Sequence, residues 1–174
     1  GVANFLISCN MRDHKIFIVS HKTEYGHFDL EKISLRHEAL KWMKMKCFFD
    51  PQYFGINKEN VFFADTRDEK VKKIGLLNCD WFIDDLPEVF EETLFPSETK
   101  KILFGSYKSE LNHNTTILNS WRKISEKILG QVTDKDIMMW ARQMVDKPLN
   151  EIKKIPGRGN SSIYKVITSD KKNY

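Results

Sequence analysis

Cysteine is scarce. There are three in 174 residues, Cys9, Cys47 and Cys79, odd in number and far apart in sequence. That pattern excludes a disulfide framework and the paired spacing of a zinc site, and it predicts reduced, buried thiols in a cytoplasmic protein. Long apolar runs are missing too, since nothing approaches the roughly 18 residues of a membrane span. The opening G-V-A-N-F-L-I-S-C-N has no basic region ahead of its apolar part, as a secretory signal would. It also has no initiator Met, so the start of translation is expected upstream. No internal repeat and no low-complexity segment is visible. Aromatics are thin in the last stretch: residues 147–174 carry seven Lys/Arg and two Asp/Glu, a net of +5 that leaves −1 for the rest, yet Tyr164 is their only aromatic before Tyr174. A basic tail can meet phosphate. Without interleaved aromatics it is no stacking platform for single strands, and nucleic acid is not the expected partner.

The most informative stretch is W-F-I-D-D-L-P-E-V-F-E-E, Trp81 to Glu92. Trp81, Phe82 and Ile83 form a short continuous apolar run, the pattern of a strand buried on both faces. Pro87 follows where a helix can begin. Asp84 and Asp85 are therefore expected at the carboxyl end of a parallel strand, where open α/β sheets bind ligands. Two adjacent carboxylates repel unless a cation joins them, and Mg²⁺ suits oxygen donors. The alternative is an Asp helix cap followed by a solvated Asp.

Strand and helix alternate around this stretch. The pattern predicts a helix over Val2–Met11 with Phe5, Leu6 and Cys9 on one side, then a strand over Lys15–Ser20. A loop with Gly26 leads to a helix over Leu35–Cys47, with Leu35, Ala39, Met43 and Cys47 on one face. A strand over Val61–Ala64, a helix over Asp68–Leu77 burying Val71, Ile74 and Gly75, the Asp84/Asp85 strand and a strand over Lys101–Gly105 complete the alternation. That is the signature of a parallel sheet wrapped by helices. A helix over Asn114–Leu129 is expected next, with Ile117, Trp121, Ile124 and Ile128 on one face. Thr133 can cap another, carrying Ile137, Trp140, Ala141 and Met144. A hairpin around a glycine-rich turn closes the chain.

Three sets of side chains are candidates for chemistry. Ser20 ends its strand in I-F-I-V-S-H-K-T, where a hydroxyl can bind a phosphate oxygen or simply cap a turn. Lys70, with Lys72 and Lys73 beside it in T-R-D-E-K-V-K-K-I, can neutralise a phosphorylated group or lie on a solvated helix face. His21, His27 and His37 lack metal-ligand spacing on a helix face.

A strand ending in Ser, a later Lys and a strand ending in Asp-Asp, in that order, resemble motifs two, three and four of the haloacid dehalogenase-like phosphatase superfamily over about residues 1–110. More narrowly, I-V-S-H-K-T with W-F-I-D-D-L looks like the haloacid dehalogenase-like domain fused to some kinase-like phosphotransferases. The resemblance implies an α/β fold, with a Rossmann-like parallel sheet of this type. It implies that Ser20 holds the phosphoryl group, Lys70 (or Lys72) offsets its charge, and Asp84 and Asp85 hold Mg²⁺. The substrate would be a small phosphorylated molecule, hydrolysed through an aspartyl-phosphate.

The sequence departs from that pattern at the family's first motif, a strand ending D-x-D that supplies the nucleophile. No D-x-D follows a strand upstream of Ser20; Asp13 lies between helix and strand, and Asp134-Lys135-Asp136 stands at a helix start. The resemblance therefore implies a sheet lacking its first strand, with the missing motif ahead of Gly1, and leaves the strands of Ser20 and Asp84 with unpaired inner edges. In the tail, I-P-G-R-G-N-S-S-I-Y-K-V-I resembles the glycine-rich nucleotide loop of aminoglycoside phosphotransferase- and choline kinase-like domains, with Gly157 and Gly159 allowing close approach to ATP phosphates. A glycine hairpin is the plainer alternative. The expected organisation is an incomplete haloacid dehalogenase-like domain over 1–112, then linker helices and the start of a kinase-like N-lobe over 113–174. ATP would be a partner of the intact C-terminal domain only, and no kinase activity is expected of these residues. The rival class is a non-catalytic regulatory or binding domain attached to a kinase.

Overall fold

A computed structural model describes residues 1–26, 28–107, 114–131, 133, 136, 141, 145, 148–155 and 163–170. The chain forms two compact units, Gly1–Gly130 and Gln131–Tyr174. The first is a mixed α/β unit: α1 (Val2–Met11), β1 (Ile18–His21), α2 (Leu35–Met45), β2 (Val61–Ala64), α3 (Arg67–Leu77), β3 (Trp81–Asp84), α4 (Pro87–Glu91), β4 (Lys100–Phe104), β5 (Thr115–Leu118) and α5 (Trp121–Leu129). Its strands pair in parallel as β1-β2 and as β3-β4-β5.

The period-2 alternation of each strand divides the core into two layers. On one face Ile18, Trp81, Ile83, Ile102, Phe104 and Leu118 pack with Phe5, Leu6 and Cys9 of α1 and Ile124 of α5. On the other, Val19, Phe82, Leu103 and Ile117 meet Val71 and Ile74 of α3 and Val89 and Phe90 of α4. Helices thus cover both faces, as parallel strands require. Side-chain caps start three of the helices: Ser34, Thr66 and Ser120 accept from the backbone N–H of His37, Glu69 and Lys123. Arg12 Nη1 donates to the Leu129 carbonyl, tying the end of α1 to the end of α5.

Several expectations need correction. Asn114–Leu129 is not one helix: Thr115-Thr116-Ile117-Leu118 is β5, paired to β4, and α5 begins only after the Ser120 cap. β-Branched residues favour the strand, and the serine gives the helix a later start. The Leu35-Ala39-Met43-Cys47 face is not a core face, for α2 buries no residue and ends at Met45, with Cys47 at φ 59°. Gly75 is exposed, and Lys70 takes a buried place on α3 beside Val71 and Ile74. The first strand begins at Ile18 rather than Lys15.

The three cysteines are free thiols, but only Cys9 is buried; Cys47 and Cys79 are half-buried. Burial raises the Cys9 thiol from its ordinary 9.0 to about 11, with Arg12 pulling the other way. Between those values the unfolded chain ionises Cys9 while the folded one keeps it protonated, so stability falls as pH rises across that window. Urea unfolding at stepped pH is expected to show this decline, reduced in Cys9→Ala.

In the second unit, β6 (Leu149–Ile155) and β7 (Ile163–Thr168) form an antiparallel hairpin with a register shift between Leu149 and Glu151. Thr133 Oγ1 accepts from Asp136 N at 3.3 Å, as expected of a helix cap. Gly157, Gly159, His27, Ile137, Trp140 and Met144 lie outside the described residues.

Candidate functional site

The site is built where the strands end. β1 reaches its carboxyl end at Ser20-His21, and Lys22 N–H extends the ladder to the Ala64 carbonyl at 2.9 Å. Arg36 fastens the next turn, donating from Nε to the Lys22 carbonyl at 2.9 Å and from Nη2 to Asp65 Oδ1 at 2.6 Å. His21 Nε2 lies 2.9 Å from the Asp65 carbonyl, so its ring is a strut between the ends of β1 and β2. α3 starts directly after β2: Thr66 Oγ1 accepts from Glu69 N at 3.2 Å, and Glu69 Oε2 accepts from Asp65 N at 2.8 Å. This reciprocal cap aims the positive end of the helix toward the strand ends.

Lys70 stands in the first turns of α3 and is only 6% exposed. Its Nζ lies 2.5 Å from Asp84 Oδ2 and 5.8 Å from the centre of the Phe82 ring. A buried lysine needs such a partner, because an isolated charge away from water is costly. Asp84 Oδ1 accepts from Leu86 N at 3.1 Å, which holds the carboxylate at the start of α4. The sequence-expected Lys70 and Asp84 are therefore brought together. Lys72 is exposed, and Lys73 lies over the Phe62 ring instead. Asp85 is exposed just past β3. Ser20 is half-buried at the carboxyl end of β1, with Val19 before it in the α3-side core.

Two further residues shape the rim. The Tyr107 hydroxyl donates to the Asp85 carbonyl. Gly105, at φ 155°, makes room for it: a Cβ there would lie 2.6 Å from Tyr107 Cε2. Sequence reasoning passed over this pair; its only signal was an aromatic two positions beyond a glycine that ends a strand.

Asp84 and Asp85 supply adjacent carboxylates at the carboxyl end of β3. Mg²⁺ takes one or two carboxylates and completes its shell with water and phosphate. The Asp85 carboxylate is exposed, and Asp84 Oδ1 retains acceptor capacity beside its one hydrogen bond. Among the described residues no three His, Cys, Asp or Glu side chains converge into a closed cage. No helix among them is long and apolar enough to cross a membrane.

No family model, no curated protein and no solved structure matches this chain.

Proposed function

We propose that the first unit is the phosphate- and Mg²⁺-handling part of a haloacid dehalogenase-like phosphohydrolase acting on a small phosphorylated molecule. The observation that supports this reading is the buried Lys70–Asp84 pair at 2.5 Å, placed at the carboxyl ends of parallel strands. In this reading Ser20 donates its hydroxyl to a phosphoryl oxygen, and Lys70 offsets the added negative charge. Asp84 and Asp85 hold Mg²⁺, which supplies Lewis-acid polarisation of the phosphoryl group when bound. The attacking carboxylate of an aspartyl-phosphate route has no counterpart in a D-x-D after a strand of this sequence, so these residues are expected to bind without turning over. The β6-β7 hairpin is in this view a kinase-like N-lobe element.

The test is a titration of the chain with orthovanadate and Mg²⁺, followed by amide NMR. Ser20, Lys70 and Asp85 should shift together, and Asp85→Asn should weaken Mg²⁺ binding about tenfold, the effect of one lost charge-assisted contact. Stability should be unchanged, because Asp85 is exposed. Aryl phosphate hydrolysis should stay at background. Turnover above background would mean that a nucleophile is present, and absence of any shift would remove the phosphate reading.

The second reading is a non-catalytic regulatory or binding domain. The observation favouring it is that the Asp84 carboxylate is engaged in an ion pair with Lys70. Silence in the Mg²⁺ and vanadate titrations selects it.

A further inference from the structure

The crossover from β1 to β2 leaves apolar surface in water. The helix between two parallel strands ordinarily covers a face of their sheet, yet α2 belongs to neither core layer and buries no residue. Seven of the thirteen exposed large apolar side chains described in the first unit lie between Tyr25 and Met45. Two of them, Phe28 and Leu30, are 98% and 99% exposed. Their loop is nonetheless braced. The Glu24 carbonyl accepts from Leu35 N at 2.8 Å, and Ser34 Oγ donates to the Glu24 carboxylate, which closes the base. Asp29 turns its carboxylate onto the loop's own backbone, accepting from Glu31 N at 3.0 Å and from Ile33 N at 2.7 Å. Asp29 N donates to the Gly26 carbonyl at 3.3 Å, and Lys32 N to the Asp29 carbonyl at 3.4 Å. Four of the five N–H groups from Asp29 to Ile33 are thus used within the loop. Unmet main-chain groups are what bars most loops from apolar surroundings, and here few remain.

α2 continues the apolar surface from the same base. Leu35, Glu38, Trp42 and Met45 recur at spacings of three and four and share one side of the helix. Its three apolar members are 36%, 49% and 66% exposed, while Arg36, Ala39, Leu40 and Met43 on the other side are half-buried. Charge is sorted as well. Between Tyr25 and Lys46 the exposed charges are Lys32, Lys41, Lys44 and Lys46 against Glu31 and Glu38, and Glu38 is already paired with Lys41 at 3.5 Å. Residues 1–130 as a whole balance, with 19 Lys/Arg to 19 Asp/Glu. An excess of positive charge therefore borders the apolar segment of a unit that is neutral overall.

We propose that residues 25–46 dock the protein on the surface of an anionic lipid bilayer. Phe28 and Leu30 enter below the headgroups, and Trp42 and Met45 lie at the interface, where amphipathic rings are favoured. Lys32, Lys44 and Lys46 meet the headgroup phosphates, and Glu31 stays at the aqueous rim beside Lys32. A protein partner fits these observations less well. Phe28 and Leu30 project rather than line a groove, and a loop that spends its donors on itself has little main chain to offer another polypeptide. The inference rests on exposure, charge and loop bracing, and stands whether or not the strand ends handle phosphate.

The experiment is co-sedimentation of the intact chain with phosphatidylcholine vesicles, with and without about one-third phosphatidylserine. The anionic vesicles should bind about tenfold more tightly than the neutral ones, and salt on the order of 0.5 M should remove that difference. Phe28→Ser/Leu30→Ser should weaken binding to anionic vesicles by about tenfold or more. Its urea midpoint should stay at the wild-type value, because both side chains already stand in water. Lys44→Glu/Lys46→Glu should abolish the preference for anionic lipid. Leu76, 79% exposed on α3, is the control, and Leu76→Ser should bind as the wild type does. No binding at millimolar lipid, equal binding to both vesicles, or undiminished binding by the Phe28/Leu30 variant would each overturn the proposal. So would self-association without lipid that the Phe28/Leu30 variant loses, which would make a second copy the occupant.

Discussion

Replacing Asp84 with Ala while keeping Lys70 is expected to destabilise the first unit by about 3–5 kcal/mol, the usual cost of stranding one member of a buried ion pair. Both side chains are almost fully buried, at 8% and 6% exposure, and their atoms meet at 2.5 Å. The loss should exceed that of a surface pair such as Lys41–Glu38, where about 0–1 kcal/mol is typical. The decisive comparison is the double variant Lys70→Met/Asp84→Leu. With both charges gone there is nothing left to desolvate, and the double variant should recover most of the loss. Urea denaturation of the wild type, Lys70→Met, Asp84→Leu and the double variant measures the coupling directly. If the single variants lost less than about 1 kcal/mol, the pair would behave as a solvated surface contact and the buried site would be refuted.

The second large effect lies in the sheet. Leu103→Ala is expected to cost about 2–5 kcal/mol, since the site is sealed and a cavity there cannot collapse easily. Leu103 sits on β4 between β3 and β5, at 0% exposure, with Val71, Ile74, Val89, Phe90 and Phe95 in its layer. The same truncation at Leu35 of α2 should cost well under 1 kcal/mol, because that helix buries no residue. Thermal and urea unfolding of the two variants side by side would check the contrast. Equal losses would show that α2 is packed in solution.

The sequence by itself determined the local chemistry of this protein. W-F-I is apolar on successive positions and D-D is not, so β3 and its acidic end were legible, as was Pro87 at the head of α4. Val2–Met11 and Val61–Ala64 were legible to the residue, and the strand-helix alternation specified a parallel α/β arrangement. Local propensity and periodicity settle such features because they depend on neighbours within one or two turns.

Only the tertiary structure decided which faces are used. Lys70, Lys72 and Lys73 are equivalent by composition; α3 is rotated so that Lys70 falls toward Asp84, fourteen positions away, while Lys72 points to water. The α2 face is amphipathic in sequence, but amphipathicity does not supply a partner, and no α2 residue is fully buried: Leu35 is exposed and Ala39 and Met43 are half-buried. Ile117 and Ile124 fit one helical face on paper; β4 captured Thr115–Leu118 as a strand because its edge offered a ladder. That no ladder joins β1 to β3 among the described residues has the same origin. Each strand carries apolar residues for both layers, but hydrogen-bond pairing is a non-local choice, and only the assembled sheet shows which edges find partners.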